Sequence, residues 1–273
     1  MKKIDRLNRG TLDKLPYILL ELLNDESPES VDYIIARYIL ENIENLSGDS
    51  IQDIADACEV SKSTLSRFCR KAGLEDFQEM KDELHDVVFS PDNIFNVPVV
   101  DENGKGYLRR VSEQVLELDK TLDYGKVNKL VEEIYSNPSV LLLGSMQAMT
   151  PAVNLQQDLF AAGKVTRVPA KFSLQINAID RAKPKDLMVC FSNSGIFFER
   201  LLMSQGDIRK LNDTRIWMIT GNKNVKNLPY VDEIIYIPDN HTYVSHPLQF
   251  DLTARVIAMS YAEYVRKLNK SLR

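Results

Sequence analysis

The sequence predicts two domains, an all-α N-terminal domain and a C-terminal α/β domain with a parallel sheet of roughly five strands. Up to residue 88, apolar residues recur three and four positions apart, the spacing of amphipathic helices. Beyond residue 138, short and almost continuous apolar runs alternate with longer stretches, which is typical of buried parallel strands joined by helices. Between these patterns, residues 89–106 mix prolines, glycines, asparagines and acids without helical spacing and are predicted to be a linker. The length of 273 residues suits the resulting domains at 1–88 and 107–273.

Two helices are predicted at the start of the all-α domain, at residues 15–24 and 28–45. Ser27 before Pro28 is typical of an N-cap followed by proline at the first helical position. The apolar face of the second helix is expected to consist of Val31, Ile34, Ile35, Tyr38, Ile39 and Ile43. The role of residues 1–27 is left open by their sequence.

Residues 50–73 have the dimensions of a helix-turn-helix. Ser50 and Asp53 are spaced as a capping box for the first helix, and Ser61 is placed to cap the second. Glu59 stands in the turn where a glycine is expected; if it adopts the left-handed conformation there, the strain should cost about 1 kcal/mol. The inner face of the second helix is predicted to be Leu65, Phe68, Cys69 and Ala72, with Gly73 as terminator. A last helix carries the apolar residues Phe77, Met80, Leu84 and Val87.

The α/β domain begins with two predicted helices, at about 107–122 and 125–136. The predicted strands are five apolar runs: SVLLLG from 139, KVTRVP from 164, DLMVCFS from 186, RIWMIT from 215 and DEIIYIP from 232. A helix is predicted at 251–267. Because the runs show little alternation, we expect both faces of the sheet to be covered.

The composition is that of an ordinary globular protein, with 44% hydrophobic and 27% charged residues. No apolar run approaches the roughly 18 residues that span a bilayer, and no signal-peptide core follows the N-terminus, so a cytoplasmic location without membrane contact is expected. Cys58, Cys69 and Cys190 are too scattered for a disulfide framework or a zinc site and are expected to be buried. Neither a metal nor a cofactor is expected.

The segment SKSTLSRFCRKAG, residues 61–73, contains four basic residues and no acidic one. The chain as a whole has a formal net charge of -5, and residues 1–88 hold 11 Lys and Arg against 19 Asp and Glu. General attraction of the N-terminal domain to a polyanion is therefore excluded, and the positive charge must act locally. With the apolar face turned inward, the cations project outward, as a DNA recognition helix requires.

Residue chemistry predicts two roles on this helix, both directed at double-stranded DNA. Short hydroxyls and a forked guanidinium fit the major groove, so base or near-base contacts are predicted for Ser63, Thr64, Ser66 and Arg67. Phosphate contacts are predicted for Lys62, Arg70 and Lys71. The alternative is a solvated helix face whose single sign of charge is accidental.

The stretch SIQDIADACEVSKSTLSRFCRKAGLEDFQEMKDEL, with ARYILENIENL before it, resembles the N-terminal DNA-binding domain of RpiR-type bacterial transcriptional regulators. The resemblance covers roughly residues 28–262. It implies that the second domain is a SIS domain, a sugar-phosphate-binding α/β fold, and that the protein regulates transcription in response to a sugar phosphate or related metabolite. Because one recognition helix contacts few base pairs, at least a homodimer is expected on the operator, with the SIS-like domain and helix 251–267 as the dimer platform.

Ligands of parallel α/β sheets bind beyond the carboxyl ends of the strands. Two such ends are rich in small polar residues, LLLGSMQAMT and VCFSNSGIFFE, and the second resembles the phosphate loop of SIS domains. The predicted ligand-binding residues are Gly144, Ser145, Ser192, Asn193, Ser194, Gly195 and Glu199. Met146, Ala148 and Phe197 depart from the SIS pattern, where a glycine, a serine and a threonine are usual. A regulator with a vestigial pocket is therefore one alternative.

A sugar-phosphate isomerase with a helical appendage is a second alternative. Such an enzyme needs a base, for which Glu199, His241 and His246 are the candidates. No second catalytic partner is recognisable beside them, and a DNA-binding domain has no evident use in an isomerase, so no enzymatic activity is predicted. A third alternative is a protein-interaction module whose helical domain binds another acidic partner.

Overall fold

The computed structural model describes residues 15–72, 74–85, 93–94, 97–98, 106–193, 195, 197–198, 214–225, 228, 230–238 and 246–271. The chain divides into two compact units, the first containing Met1–Asn96 and the second containing Val97–Phe197 and Asp207–Arg273. The described residues between 15 and 85 of the first unit are called the helical unit. The described residues of the second unit from 106 onward are called the α/β unit. Two strands of two residues each, β1 (Asn93–Ile94) and β2 (Val97–Pro98), lie within the predicted linker.

The predicted helices of the all-α domain are present in the helical unit. They are α1 (Leu15–Asp25), α2 (Val31–Asn42), α3 (Ile51–Ala57), α4 (Lys62–Lys71) and α5 (Phe77–His85), with a 3-10 turn at Leu46–Gly48 between α2 and α3. They enclose one core, whose large and fully buried side chains include Leu19, Ile35, Ile39, Ile54, Leu65 and Phe68. Gly73 and Val87, which sequence assigned to a helix end and to the last helix, lie outside the described residues.

The start of α2 differs from the prediction. Ser30, not Ser27, is the N-cap, and its hydroxyl accepts a hydrogen bond from the Tyr33 amide (3.1 Å). Helix packing buries the face that contains Ile35, Ala36, Ile39 and Ile43, while Val31 and Ile34 are 43% and 40% exposed. The predicted apolar stripe was therefore rotated relative to the true one, because α2 turns its small Ala36 toward its neighbours.

The α/β unit is built from helices on a parallel sheet. Its helices are α6 (Tyr107–Thr121), α7 (Tyr124–Ser136), α8 (Met149–Ala161), α9 (Phe172–Asp180) and α10 (His246–Ser271), and its strands are β3 (Val140–Gly144), β4 (Leu187–Phe191), β5 (Arg215–Thr220) and β6 (Glu233–Tyr236). The four strands pair in the order β3-β4-β5-β6, all parallel. The helix predicted at 251–267 is the inner part of the longer α10.

The fifth predicted strand, at 164–169, is reduced to one bridge between Arg167 and Leu141. The Arg167 amide donates to the Val140 carbonyl (3.0 Å), and the Leu142 amide donates to the Arg167 carbonyl (2.8 Å). The next amide that would extend this parallel ladder belongs to Pro169, which has no N–H. The described sheet therefore has four strands, and the segment at 164–169 borders it without forming a fifth.

One large core holds the sheet against α7, α8 and α10. Alternate strand residues such as Leu142, Val189, Trp217 and Ile219 are fully buried there. Gly144 and Phe191, the last residues of β3 and β4, are partners in the register, so the segments that follow them start side by side. This places the two polar stretches predicted to bind a ligand at one edge of the sheet.

Burial also determines the state of the cysteines. All three are free and buried, as predicted. Burial raises the pKa of the Cys58 and Cys69 thiols to about 11 and that of Cys190 well above its ordinary value. The thiols therefore stay protonated at neutral pH and pack as small apolar groups.

Within the described part of the chain, no helix combines the length and the hydrophobicity needed to cross a membrane.

Candidate functional site

The turn between α3 and α4 has the predicted capping and backbone geometry. Ser50 and Asp53 form a capping box, and hydrogen bonding with Ser50 lowers the pKa of Asp53. Glu59 adopts the left-handed conformation (φ 54°), which the Asp56 carbonyl supports by accepting a hydrogen bond from the Glu59 amide (3.1 Å). The Val60 amide then donates to the Ala55 carbonyl (2.8 Å). This turn fixes where α4 begins relative to α3.

A network of hydroxyls forms the N-terminus of α4. The Ser61 hydroxyl accepts from the Thr64 amide (3.1 Å), so it is the predicted N-cap. The same oxygen lies 2.7 Å from the Ser63 hydroxyl and 2.9 Å from the Thr64 hydroxyl. Three short hydroxyl side chains are thus gathered at the end of α4 that would meet base edges if α4 entered a major groove.

The two faces of α4 divide as predicted. Leu65, Phe68, Cys69 and Ala72 are at most 2% exposed and face the core of the helical unit. On the opposite side, Ser63, Arg67 and Arg70 follow one another at spacings of four and three residues and are exposed. We call these three residues the outward row; Lys62 is exposed, and Ser66 and Thr64 are half-buried, on its flanks.

The two arginines of the outward row bond only to atoms of their own helix among the described residues. Arg67 Nε donates to the Ser63 carbonyl (3.3 Å), and Arg67 Nη2 donates to the Thr64 hydroxyl (3.3 Å). Arg70 Nε donates to the Ser66 carbonyl (3.4 Å). These bonds are long, and no carboxylate of the described chain forms a salt bridge with either guanidinium. The positive charge of the row is therefore not neutralised within the described helical unit.

Lys71 is in a different environment from the other cations. Its ammonium donates to Glu26 Oε1 (2.9 Å) and to a carboxylate oxygen of Asp32. Burial lowers the pKa of Lys71, but hydrogen bonds to Asp32 and Glu26 more than offset this, so its pKa is raised overall. This cation is thus held by the segments at the end of α1 and the start of α2.

The end of β3 is closed by a residue that sequence reasoning missed. Gln175 on α9 is 1% exposed; its Nε2 donates to the Gly144 carbonyl (2.8 Å), and its Oε1 accepts from the Gly144 amide (3.3 Å). A Cβ on Gly144 would lie 2.4 Å from the Ala148 carbonyl oxygen, so only glycine allows the following turn to fold back. Ser145 lies half-buried at the start of that turn. Gln175 lies 31 residues from Gly144 in the chain, on a helix of mixed composition, so no local sequence pattern indicates this role.

The end of β4 forms a compact turn. Ser192 is 7% exposed, and its hydroxyl accepts from the Gly195 amide (3.2 Å). The Asn193 carbonyl accepts from the Thr220 hydroxyl (2.9 Å), which links the turn to the end of β5. Gly195 adopts a left-handed conformation (φ 80°). Ser194, Glu199 and His241, together with the side chain of His246, lie outside the described residues.

Two amide oxygens at this edge of the sheet have no hydrogen-bond donor among the described residues. They are Gln147 Oε1, in the turn after β3, and Asn193 Oδ1, in the turn after β4. Each is shielded from solvent, so each would gain from a donor supplied by a ligand or by water. Phe197, which departs from the SIS pattern, is 4% exposed and is therefore buried rather than presented on the surface.

Comparisons with known proteins agree with this architecture. Residues 22–90 match the family described as "Helix-turn-helix domain, rpiR family". Over 166 residues, 59% of this chain, the sequence is 26% identical to the HTH-type transcriptional regulator HexR of Pseudomonas aeruginosa. Over 47 residues it is 47% identical to an uncharacterized HTH-type transcriptional regulator of Caldanaerobacter subterraneus. These alignments span 58% and 17% of the lengths of the two curated relatives.

Among solved structures, the NanR protein of Vibrio vulnificus, complexed with ManNAc-6P, is similar over nearly the whole chain. The similarity covers 94% of both chains with a TM-score of 0.52 and 16% sequence identity, so it concerns the fold. The order of a helical unit with a capped helix-turn-helix and a following parallel α/β unit agrees with both kinds of comparison. Residues 22–90 therefore form a helix-turn-helix domain of the rpiR family, and the chain shares with NanR the fold in which a parallel α/β domain follows the helical one.

Proposed function

We propose that the protein is a DNA-binding transcriptional regulator whose SIS-like domain senses a sugar phosphate or related metabolite and alters operator binding. In this assignment residues 1–88 form the DNA-binding domain, 89–106 the linker, and 107–273 the effector-binding and dimerisation domain. The observation that carries the proposal is the outward row of α4, a cationic surface free of carboxylate partners in the described helical unit. Because the rest of the domain is acidic, this surface favours the binding of an anionic partner at α4 and not elsewhere on the domain.

The DNA contacts divide by chemistry. Ser63, Thr64, Ser66 and Arg67 are proposed to meet base edges, and Lys62 and Arg70 to hold phosphates. Lys71, for which the sequence also predicts a phosphate contact, is already paired with Glu26 and Asp32. Arg67 must leave its two long hydrogen bonds on α4 to fork onto a guanine, and the loss is small beside a charge-assisted bidentate contact. The helical position of these residues and the family match at 22–90 support this division.

The effector is proposed to bind at the ends of β3 and β4. The ligand-binding residues in this proposal are Gly144, Ser145, Ser192, Asn193, Ser194, Gly195 and Glu199. The small side chains at this edge, the Ser192 hydroxyl and the two amide oxygens without donors suit a polyhydroxylated anion. NanR, which shares the fold, is named in complex with ManNAc-6P, so an amino-sugar phosphate belongs in any effector screen.

The protein is further proposed to act as at least a homodimer in the cytoplasm and without catalysis. Two recognition helices are needed because one reads too few base pairs for operator selectivity. The curated relatives are named as transcriptional regulators, which supports a non-enzymatic role. An isomerase would instead turn over aldose or ketose phosphates, and that activity in the purified chain would favour the alternative.

The test of DNA binding compares Arg67→Ala with Arg37→Ala. Arg37 is a matched control because it is also an exposed helical arginine of the helical unit, paired with Glu41. If Arg67 forks onto a base, its loss should weaken operator binding roughly 5- to 150-fold while binding to unrelated duplex falls much less. The operator is first identified by genomic-site enrichment, and affinities are then titrated at fixed salt concentration.

Equal operator affinity for Arg67→Ala and the parent would contradict the proposed base contact. A parent protein without salt-sensitive, sequence-selective retention on DNA would contradict the regulator itself and leave the protein-interaction module or the isomerase as the function. Arg37→Ala is expected to match the parent in both affinity and selectivity.

A further inference from the structure

Lys71 lies at the last turn of α4, on a flank of the helix rather than in the outward row. Its side chain is 41% exposed, and those of Glu26 and Asp32 are each 27% exposed. Glu26 follows the end of α1, and Asp32 lies in the first turn of α2, so two different segments converge on one ammonium. We call these three residues the Lys71 cluster.

The cluster carries two negative charges against one positive charge. A phosphate that approached Lys71 would meet two carboxylates within hydrogen-bond reach of the same ammonium. To bind that phosphate, the ammonium would have to break both contacts and leave two half-buried carboxylates unpaired. Arg70, one residue earlier, faces no such competition from the described residues.

We propose that Glu26 and Asp32 hold Lys71 away from the DNA backbone, so that Lys71 positions α4 and does not neutralise a phosphate. The inference rests on the proposed DNA-binding function and revises the phosphate role expected for Lys71 from sequence. The expected consequence is higher binding specificity. Because one cation fewer contacts phosphates, the sequence-independent part of the affinity is lower, while the base contacts of the outward row are unchanged.

The number of phosphates neutralised can be measured from the salt dependence of binding. The logarithm of the binding constant falls with the logarithm of salt concentration with a slope of about -0.9 for each phosphate contact on duplex DNA. Lys71→Gln should leave this slope unchanged. Arg70→Gln, the matched control in the same helical turn, should reduce its magnitude by about 0.9.

A double-mutant cycle separates the withholding of Lys71 from general charge effects. Glu26→Gln with Asp32→Asn should free Lys71, increase the magnitude of the slope by about 0.9 and tighten binding to unrelated duplex by several-fold. Adding Lys71→Gln to that pair should abolish the extra slope. If the two carboxylates acted only by long-range electrostatics, their removal would change the slope by the same amount with Lys or with Gln at position 71. The cycle would then show no coupling.

The proposal is overturned if Lys71→Gln alone lowers the slope as much as Arg70→Gln does, or if the cycle shows no coupling. Circular dichroism and melting curves identify any variant that fails to fold. If the double variant does not fold, the single changes Glu26→Gln and Asp32→Asn replace it, and each should also increase the magnitude of the salt slope. Failure of the proposed function appears differently, because the parent itself would then show no salt-sensitive DNA binding.

Discussion

At the scale of single residues, two glycines with positive φ differ in what surrounds them. Gly163 (φ 88°) has no atom within 4 Å of the position that a Cβ would occupy. At Gly195 (φ 80°), a Cβ would lie 2.2 Å from Val225 Cγ2, and Val225 is buried. The backbone strain of an alanine is therefore similar at the two sites, whereas the steric conflict exists only at Gly195.

We expect Gly163→Ala to lower the free energy of unfolding of the α/β unit by about 1 kcal/mol. Gly195→Ala should cost about 1–3 kcal/mol more, because Val225 must move within a packed core. Urea unfolding followed by the fluorescence of Trp217, the sole tryptophan of the chain, reports this unit. Equal costs for the two variants would show that the turn after β4 relaxes freely.

Residue roles were predictable from sequence where the signal is local. The Ser50–Asp53 capping box and the Ser61 cap follow from spacings of a few residues and are confirmed, and Glu59 adopts the left-handed conformation considered for the glycine position of the turn. Ser27 was the wrong cap because Ser30 offers the same chemistry three residues later, and local pattern does not distinguish the two. The partners of Lys71 lie 45 and 39 residues away in the chain, so no local pattern could reveal them.

At the scale of elements, Glu133 connects α7 to the start of β5. Its carboxylate accepts from Arg215 Nε (3.0 Å), from Arg215 Nη2 (2.9 Å) and from Trp217 Nε1 (2.7 Å). Hydrogen bonding to Glu133 raises the pKa of Arg215, and a second carboxylate, Asp232, lies 3.2 Å from its Nη1. One half-buried carboxylate therefore satisfies three donors of the sheet.

Glu133→Gln should destabilise the α/β unit by about 1–2 kcal/mol, because the amide has one acceptor oxygen fewer and no charge. The partial exposure of Arg215 keeps the loss below that of a buried ion pair. Glu132→Gln is the control, since Glu132 is the exposed neighbour on the same helix, and it should change stability by less than about 0.5 kcal/mol. The stability of both variants is measured by unfolding that is followed by circular dichroism at the helix signal. A Glu133→Gln variant as stable as the control would contradict the role of this contact.

Elements were predictable as far as periodicity and length allowed. The helices of the helical unit, α6, α7, the inner part of α10 and four of the five strands appear where the sequence indicated, whereas α8 and α9 lie in stretches for which only the length was compatible with a helix. The run KVTRVP has the composition of a strand, yet Pro169 limits it to one bridge, because pairing depends on the amide that proline lacks. The face of α2 was predicted with the wrong rotation, since the buried side of a helix is chosen by its neighbours and not by its own stripe alone.

At the scale of the whole molecule, the proposed regulation requires that effector and operator alter each other's affinity. Such coupling is reciprocal: the factor by which a saturating effector changes operator affinity equals the factor by which saturating operator changes effector affinity. A substitution of Ser192 can test this coupling. The Ser192 hydroxyl lies in the turn after β4 and, besides accepting from the Gly195 amide, can donate its proton to a ligand.

Ser192→Ala should therefore abolish or strongly reduce the melting-temperature shift that a sugar phosphate gives the parent, together with the effect of that compound on operator affinity. The variant loses a bond to the Gly195 amide, so its own melting temperature will fall, and only the ligand-induced shift is diagnostic. Ser136→Ala, an exposed serine bonded to its own helix, is the control and should keep the full shift. The screen uses hexose phosphates, amino-sugar phosphates and inorganic phosphate. If no compound shifts the parent protein, the pocket is vestigial and the α/β unit serves dimerisation; if Ser192→Ala keeps the parent's shift, the effector binds elsewhere.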